Sequence, residues 1–422
     1  MTNGMVSAPQ PEAVETGVDI LGSGGNVVDA AIGAALVQTV VDPQMCGVAG
    51  FGSLHLYLAD RGIHTCIDFH GRAPLATRSD MWEQLIVREC DDGFGFILKG
   101  EVNEIGYQSM TTPMTIKAFD EAMTRFGSRT LAEVLAPAIQ YCEEGFPVRP
   151  AVHGFWNRGG EAGRIPRIRG LTDDPATAKI YTKADGSLYG IGEMLRNPDM
   201  GRTYRRIAEQ GVEDFYGGEI AQRIDADMRA NGGLITLEDL ESCETETVDP
   251  LWTDYRGYRV ATNQPPGGGL MIVLMLNILE NFDLAAMGHN SPDYIATVSE
   301  AMKIATVDKD TRMGDPRFFD IPFGELMSKD YAKSMADRIK RGEKTSVPRM
   351  SGGGNESKET THICVADSAG NCVTLTHSLG SSSGVVTDGL GFMYNNCMMV
   401  FDPRPGNAGS VAAGKARFSA LS

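Results

Sequence analysis

The chain has 422 residues, 42% of them hydrophobic, and a formal net charge of -17, a length that buries a sizeable core in one large layered domain or two ordinary ones. The negative charge repels nucleic acid and anionic membrane surfaces at long range, which argues against both as partners. The 50 glycines show neither a collagen-like period nor a low-complexity tract, and they imply many tight turns.

The opening stretch MTNGMVSAPQPEAVETG has no basic region followed by an apolar run, and no later segment offers about 18 uninterrupted apolar residues. A cytoplasmic location is therefore expected. The eight cysteines, Cys46, Cys66, Cys90, Cys142, Cys243, Cys364, Cys372 and Cys397, lack CxxC spacing, so reduced and mostly buried thiols are expected rather than a disulfide framework. The segment Val18 to Val41 has helical apolar spacing, with Val28, Ala31, Ile32, Ala35 and Leu36 on one face and Asp42-Pro43 as its end. Gly22-Ser23-Gly24-Gly25 lacks the lysine of a phosphate loop and reads as a structural turn. Two apolar runs, Ser53 to Leu58 and His64 to Phe69, flank Ala59-Asp60-Arg61-Gly62 and predict a hairpin.

Helix is expected over 115–145 and from Ile220 to Asn231, where Asn231-Gly232-Gly233 stops it, and Thr236 to Asp239 has capping-box spacing. A buried helix from Leu270 to Leu279 and another over 291–310 follow. The polar, Gly-rich stretch from Arg349 to Lys358 has no apolar period and is expected to form a mobile surface loop. It runs into two β-branched, alternating segments, Thr361 to Ala366 and Cys372 to His377, joined by Asp367-Ser368-Ala369-Gly370-Asn371, which predicts a second hairpin. There is no internal repeat. The seven histidines include no HExxH and no metal-finger pairing with cysteine, so neither a metal nor another cofactor is called for. Met393, Met398 and Met399 suit core filling or an apolar pocket wall.

The junction at Glu359-Thr360-Thr361-His362 is where chemistry is expected. A self-cleaving precursor needs an accessible, bendable scissile bond followed by a rigidly held nucleophile. Once the peptide before Thr360 is cut, the hydroxyl and the α-amine share one residue, and the amine serves as general base at contact distance.

That junction, the hairpin containing Asp367 and Gly370-Asn371, Thr376-His377-Ser378-Leu379 and Tyr394-Asn395-Asn396 resemble the start of the small subunit of gamma-glutamyltranspeptidases. The resemblance extends through Gly24-Gly25-Asn26 with Asp29-Ala30-Ala31, Ile67-Asp68-Phe69 with Ala73-Pro74, and Asp214-Phe215-Tyr216 with Gly218. It continues through Asn231-Gly232-Gly233-Leu234-Ile235-Thr236 with Glu238-Asp239-Leu240, Asp254-Tyr255-Arg256-Gly257-Tyr258 and Gly314-Asp315-Pro316. These landmarks keep family order over nearly the whole chain.

The resemblance implies an α+β fold, the four-layer αββα sandwich of N-terminal-nucleophile hydrolases, with 1–359 as the large-subunit region and 360–422 as the start of the small one. It implies autocleavage between Glu359 and Thr360, attack by Thr360 on a γ-glutamyl-type amide, and transfer of the acyl group to water or an amine. Ser378 falls where the family has a threonine that hydrogen-bonds the nucleophile. The substrate-binding positions fall on residues that depart from the family. The arginine for the substrate carboxylate becomes His70, with Arg72 nearby on the same strand face as a substitute. The asparagine after Ser378-Leu379 becomes Gly380. After Asn396, a glutamine and an ammonium-gripping aspartate become Cys397 and Val400. Of a serine pair, Ser419 remains and its neighbour is Ala420.

In the family the chain runs on beyond that pair to a Gly-Gly turn whose backbone N–H groups form the oxyanion hole, whereas this sequence stops at Ser422, so the resemblance implies either a fragment or an unusually short small-subunit region. The departures raise a second possibility, a relative with another acyl specificity such as an oxamate-type amidase or a dicarboxylyl or cephalosporin acylase. An unprocessed scaffold without catalysis is a third. The expected partner is a small-molecule amide or γ-glutamyl compound, with homo-oligomerisation left open.

Overall fold

The computed structural model describes residues 3–91, 93, 95–160, 163–347 and 360–421. The stretch from Arg349 to Lys358, read as a mobile loop, and Glu359, on one side of the expected cleavage bond, lie outside the described residues.

The architecture mixes helix and sheet, as expected. Its centre is a six-stranded antiparallel sheet in the order Gly4–Ser7, Thr361–Asp367, Cys372–Ser378, Phe51–Leu58, Ile63–Phe69 and Glu246–Val248. Both expected hairpins are present and lie side by side, because Cys372–Ser378 pairs with Phe51–Leu58. The register aligns Ile363, Leu375, Leu54 and Ile67 in one row across four strands, and Val365, Val373 and Leu56 in the next. These side chains are buried and belong to one core with the helices Pro11–Gly22 and Val27–Val41. Alternation along a strand sends every second residue to the opposite face. Thus Thr361, His377, Gly52 and Phe69 share the helix-facing row.

The single helix expected from Val18 to Val41 is two. Gly24 takes a left-handed φ of +93°, and Asn26 restarts the chain with a capping box. Its side chain accepts from the backbone of Val28 and Asp29, while the Asp29 carboxylate accepts from Asn26 N. Gly22 to Gly25 thus forms the turn between helices. The 115–145 stretch likewise divides into Thr115–Phe126 and Leu131–Glu144, the latter capped by Thr130 and Glu133. Leu131–Glu144 packs between Val27–Val41 and Pro198–Gln210. The expected helices at Glu219–Ala230, Leu237–Glu241, Gly269–Leu279 and Pro292–Arg312 are present. The last two form a second core with Lys329–Lys340. All eight cysteines are free, six buried and Cys364 and Cys372 half-buried. Met393, Met398 and Met399 are buried.

Candidate active site

Thr360 is exposed and sits immediately before the Thr361–Asp367 strand. Across the hairpin, Ser378 ends the neighbouring strand and is buried. Thr360 Oγ1 donates to Ser378 Oγ at 3.3 Å, and the Gly380 amide donates to the same oxygen at 2.9 Å. The hydroxyl of Ser378 is thus held from the turn that follows it. That turn requires glycine at 380: φ is +70°, and a Cβ there would sit 2.5 Å from Asn396 Oδ1. Asn396 clamps the turn, accepting from Ser381 N at 2.8 Å and donating through its own amide N–H to Leu379 O at 3.0 Å. Its Nδ2 donates to Glu104 O. The structure therefore gathers Thr360, Ser378, Gly380 and Asn396 into one group.

His70 forms a second group. The backbone of Lys415–Ala416 runs antiparallel along Arg72–Ala73, and this brings Ser419 to a residue far away in sequence. His70 Nδ1 lies 2.6 Å from Asp68 Oδ2, and His70 Nε2 lies 2.6 Å from Ser419 Oγ, with the ring almost wholly buried. Asp68 fixes one face of the imidazole, so the other is aimed at the serine. Arg72 lies beyond the end of the Ile63–Phe69 strand and donates to Glu246 Oε1 at 2.7 Å. Its guanidinium is engaged there.

Cys397 and Val400 lie in one short 3-10 turn, Cys397–Val400. Burial pushes the Cys397 thiol up to about 12, against the opposing pull of Arg417. Arg417 Nε donates to Val400 O at 2.6 Å, so a cation stands beside the turn where the sequence resemblance expects an anion. Sequence reasoning passed over Arg417, two positions before Ser419. It also passed over Gln38, the amide side chain within the Val27–Val41 helix. Among the described residues, no group of three or more His, Cys, Asp or Glu side chains is arranged to hold a metal ion, and no helix is long and apolar enough to cross a membrane.

The gamma-glutamyltranspeptidase family model matches residues 13–421. The chain belongs to that family. Within the gamma-glutamyltranspeptidases it is 36% identical over 427 residues to the Acylase ACY 1 proenzyme of Pseudomonas sp. (strain V22), covering 100% of this chain and 73% of that one. It is 34% identical over 416 residues to the glutathione hydrolase proenzyme of Escherichia coli (strain K12), covering 96% of this chain and 67% of that one. Among solved structures, the cephalosporin acylase from Bacillus halodurans superposes with a TM-score of 0.85 at 31% identity, covering 100% of this chain and 74% of that one. The Helicobacter pylori gamma-glutamyltranspeptidase superposes with a TM-score of 0.73 at 29% identity, covering 83% and 95% respectively. Membership makes this chain an enzyme of a family of hydrolases and transferases that act on amide bonds.

Proposed function

We propose that the chain cleaves itself between Glu359 and Thr360 and then acts as an amidohydrolase or acyltransferase with Thr360 as nucleophile. The observation that carries this reading is the position of Thr360, exposed at the head of a central strand with Oγ1 3.3 Å from Ser378 Oγ. In the cleaved form the Thr360 α-amine takes the proton of its own hydroxyl as Oγ1 attacks the substrate carbonyl. The leaving amine then departs protonated, and water or an amine acceptor resolves the acyl-enzyme. An α-amine ordinarily titrates at about 8, so a useful neutral fraction exists near pH 7. In this reading 1–359 and 360–422 are two pieces of one αββα sandwich. The proenzyme names of the Pseudomonas and E. coli relatives support cleavage.

Mass spectrometry of the purified chain should find a piece beginning at Thr360. Thr360→Ala should abolish cleavage and turnover together, while Thr360→Ser, which keeps a hydroxyl, should retain part of each. A cut elsewhere, or turnover by an uncut chain, contradicts the assignment. A single intact band without turnover favours the scaffold.

Between the two acyl specificities, an acyl group without an ammonium is favoured by Val400 and Cys397 standing where the resemblance expects an aspartate and a glutamine. A substrate ammonium buried there without an acceptor forgoes a charged hydrogen bond, roughly 1.5–3 kcal/mol, and an acyl group that lacks the ammonium avoids that loss. The expected outcome is a higher kcat/KM for a glutaryl anilide than for a γ-glutamyl anilide. A γ-glutamyl preference of about tenfold, roughly 1.4 kcal/mol, would reverse the choice.

A further inference from the structure

The Val27–Val41 helix is buried on every side, yet Gln38 stands in it, fully inaccessible. A buried amide is tolerated when its hydrogens and oxygen find partners, and its loss leaves those partners stranded. Gln38 Nε2 donates to Gln10 Oε1 at 2.5 Å and to Thr361 Oγ1 at 2.9 Å, and Gln38 Oε1 lies 2.8 Å from His377 Nε2. Gln10 in turn donates to Asp42 Oδ2 at 2.5 Å. Both amide hydrogens are therefore committed, which leaves Oε1 as the acceptor and makes His377 Nε2 the N–H donor. Burial holds the His377 ring neutral, pushing it down to about 3.

The partners of that amide decide its importance. Thr361 and His377 face each other across the ladder. Thr361 follows Thr360 and His377 precedes Ser378, so one amide fixes from behind the two backbone positions that carry the hydroxyl pair in front. Strand alternation puts the pairs on opposite faces of the sheet, so Gln38 cannot touch a substrate held at Thr360.

We propose that Gln38 is a positioning residue for the nucleophile, holding the Thr361 and His377 strands in the register and spacing that keep Thr360 Oγ1 within hydrogen-bond reach of Ser378 Oγ. This rests on Thr360 being the nucleophile. Displacement of a reacting group by about 1 Å costs on the order of 100-fold in rate, and Gln38 acts at that scale on geometry alone. The same clamp holds Thr360 before cleavage, so autoprocessing depends on it as well.

The test uses the whole chain with Gln38→Met, which keeps the length and removes the amide. Its cleavage rate and kcat should each fall by about 10- to 100-fold while KM moves less than twofold. Gln38→Glu, which keeps an acceptor for His377 Nε2–H, should recover part of the lost kcat. Thr361→Val deletes only the hydroxyl that receives the Gln38 hydrogen, and it should lower kcat several-fold even where Gln38→Met does not fold. Variants that are cut and turn over like wild type, or whose loss lies in KM alone, overturn the positioning role. A wild-type chain that is neither cut nor active overturns the assignment of Thr360, and this inference with it.

Discussion

Asp42 closes the Val27–Val41 helix at the end where unsatisfied carbonyls point, a poor place for a negative charge. Burial pushes its carboxyl up from 3.8 to about 6, with the Gln10 hydrogen bond opposing the rise. As pH climbs from about 4 to 6, the unfolded chain loses this proton while the folded chain keeps it. The unfolded state then binds fewer protons, and stability falls with rising pH through that window. Asp42→Asn keeps an acceptor for Gln10 and cannot ionise. It should therefore gain on wild type by about 2–3 kcal/mol between pH 4 and 6 and hold that gain above pH 6, as read from urea midpoints at several pH values. A gain that is flat with pH would show that Asp42 titrates normally in the fold. Nothing in the sequence distinguished Asp42 from a helix stop, and nothing marked Gln38 out. Their partners lie at Gln10, Thr361 and His377, up to 339 positions away. Thr360 and Ser378 were named together through the resemblance, and the hairpin that carries both brings their hydroxyls to 3.3 Å. His70 and Ser419 were separately legible through resemblance, but their 2.6 Å contact was not, since it depends on a backbone crossing 349 positions apart.

Elements were legible where periodicity is local, and their boundaries where capping chemistry is present. The helix drawn too long across Ser23 to Asn26 shows the difference, because apolar spacing continues through a break that Gly24 and the Asn26 cap impose. The capping chemistry reaches beyond its own helix: Asn26 Nδ2 also donates to Phe126 O at 2.8 Å. The fully buried Asp29 carboxylate accepts from Asn26 N, Ser128 N, Ser128 Oγ and Arg129 N. One carboxylate thus joins the start of this helix to the Gly127–Thr130 break. Asn26→Ala should cost about 1–2 kcal/mol of unfolding free energy. Asp29→Ala should cost more than about 2 kcal/mol, because it removes four part-buried hydrogen bonds to one charged acceptor at once. Urea denaturation with an unchanged m value measures both, and equal losses would mean that the Asp29 network adds nothing to the cap. The four-residue strand Gly4–Ser7 went unread for the opposite reason. Too short for a period, it exists through pairing with Thr361–Asp367.

At the scale of the molecule, the two strands that follow the proposed cleavage point lie inside the sheet, not at its edge. Gly4–Ser7 covers one side of Thr361–Asp367, and Phe51–Leu58 pairs with the outer side of Cys372–Ser378. The region from Thr360 onward is therefore hydrogen-bonded on both flanks to the region before it, which also supplies the helices over its apolar face. Ile363, Val365, Val373 and Leu375 are each at 0% exposure. Pulling these strands out would return four large side chains to water at roughly 1.5–3 kcal/mol each, about 6–12 kcal/mol before any ladder bond is counted. Cutting one peptide bond removes a covalent tether but none of these contacts. After cleavage the two pieces should therefore elute together in native gel filtration and separate only in denaturant, where a fragment beginning at Thr360 appears on its own. Activity, where present, should follow the joint peak. A small piece that elutes alone under native conditions would mean that the strand order changes on cleavage, because the order described here gives it no route out that leaves the sheet intact.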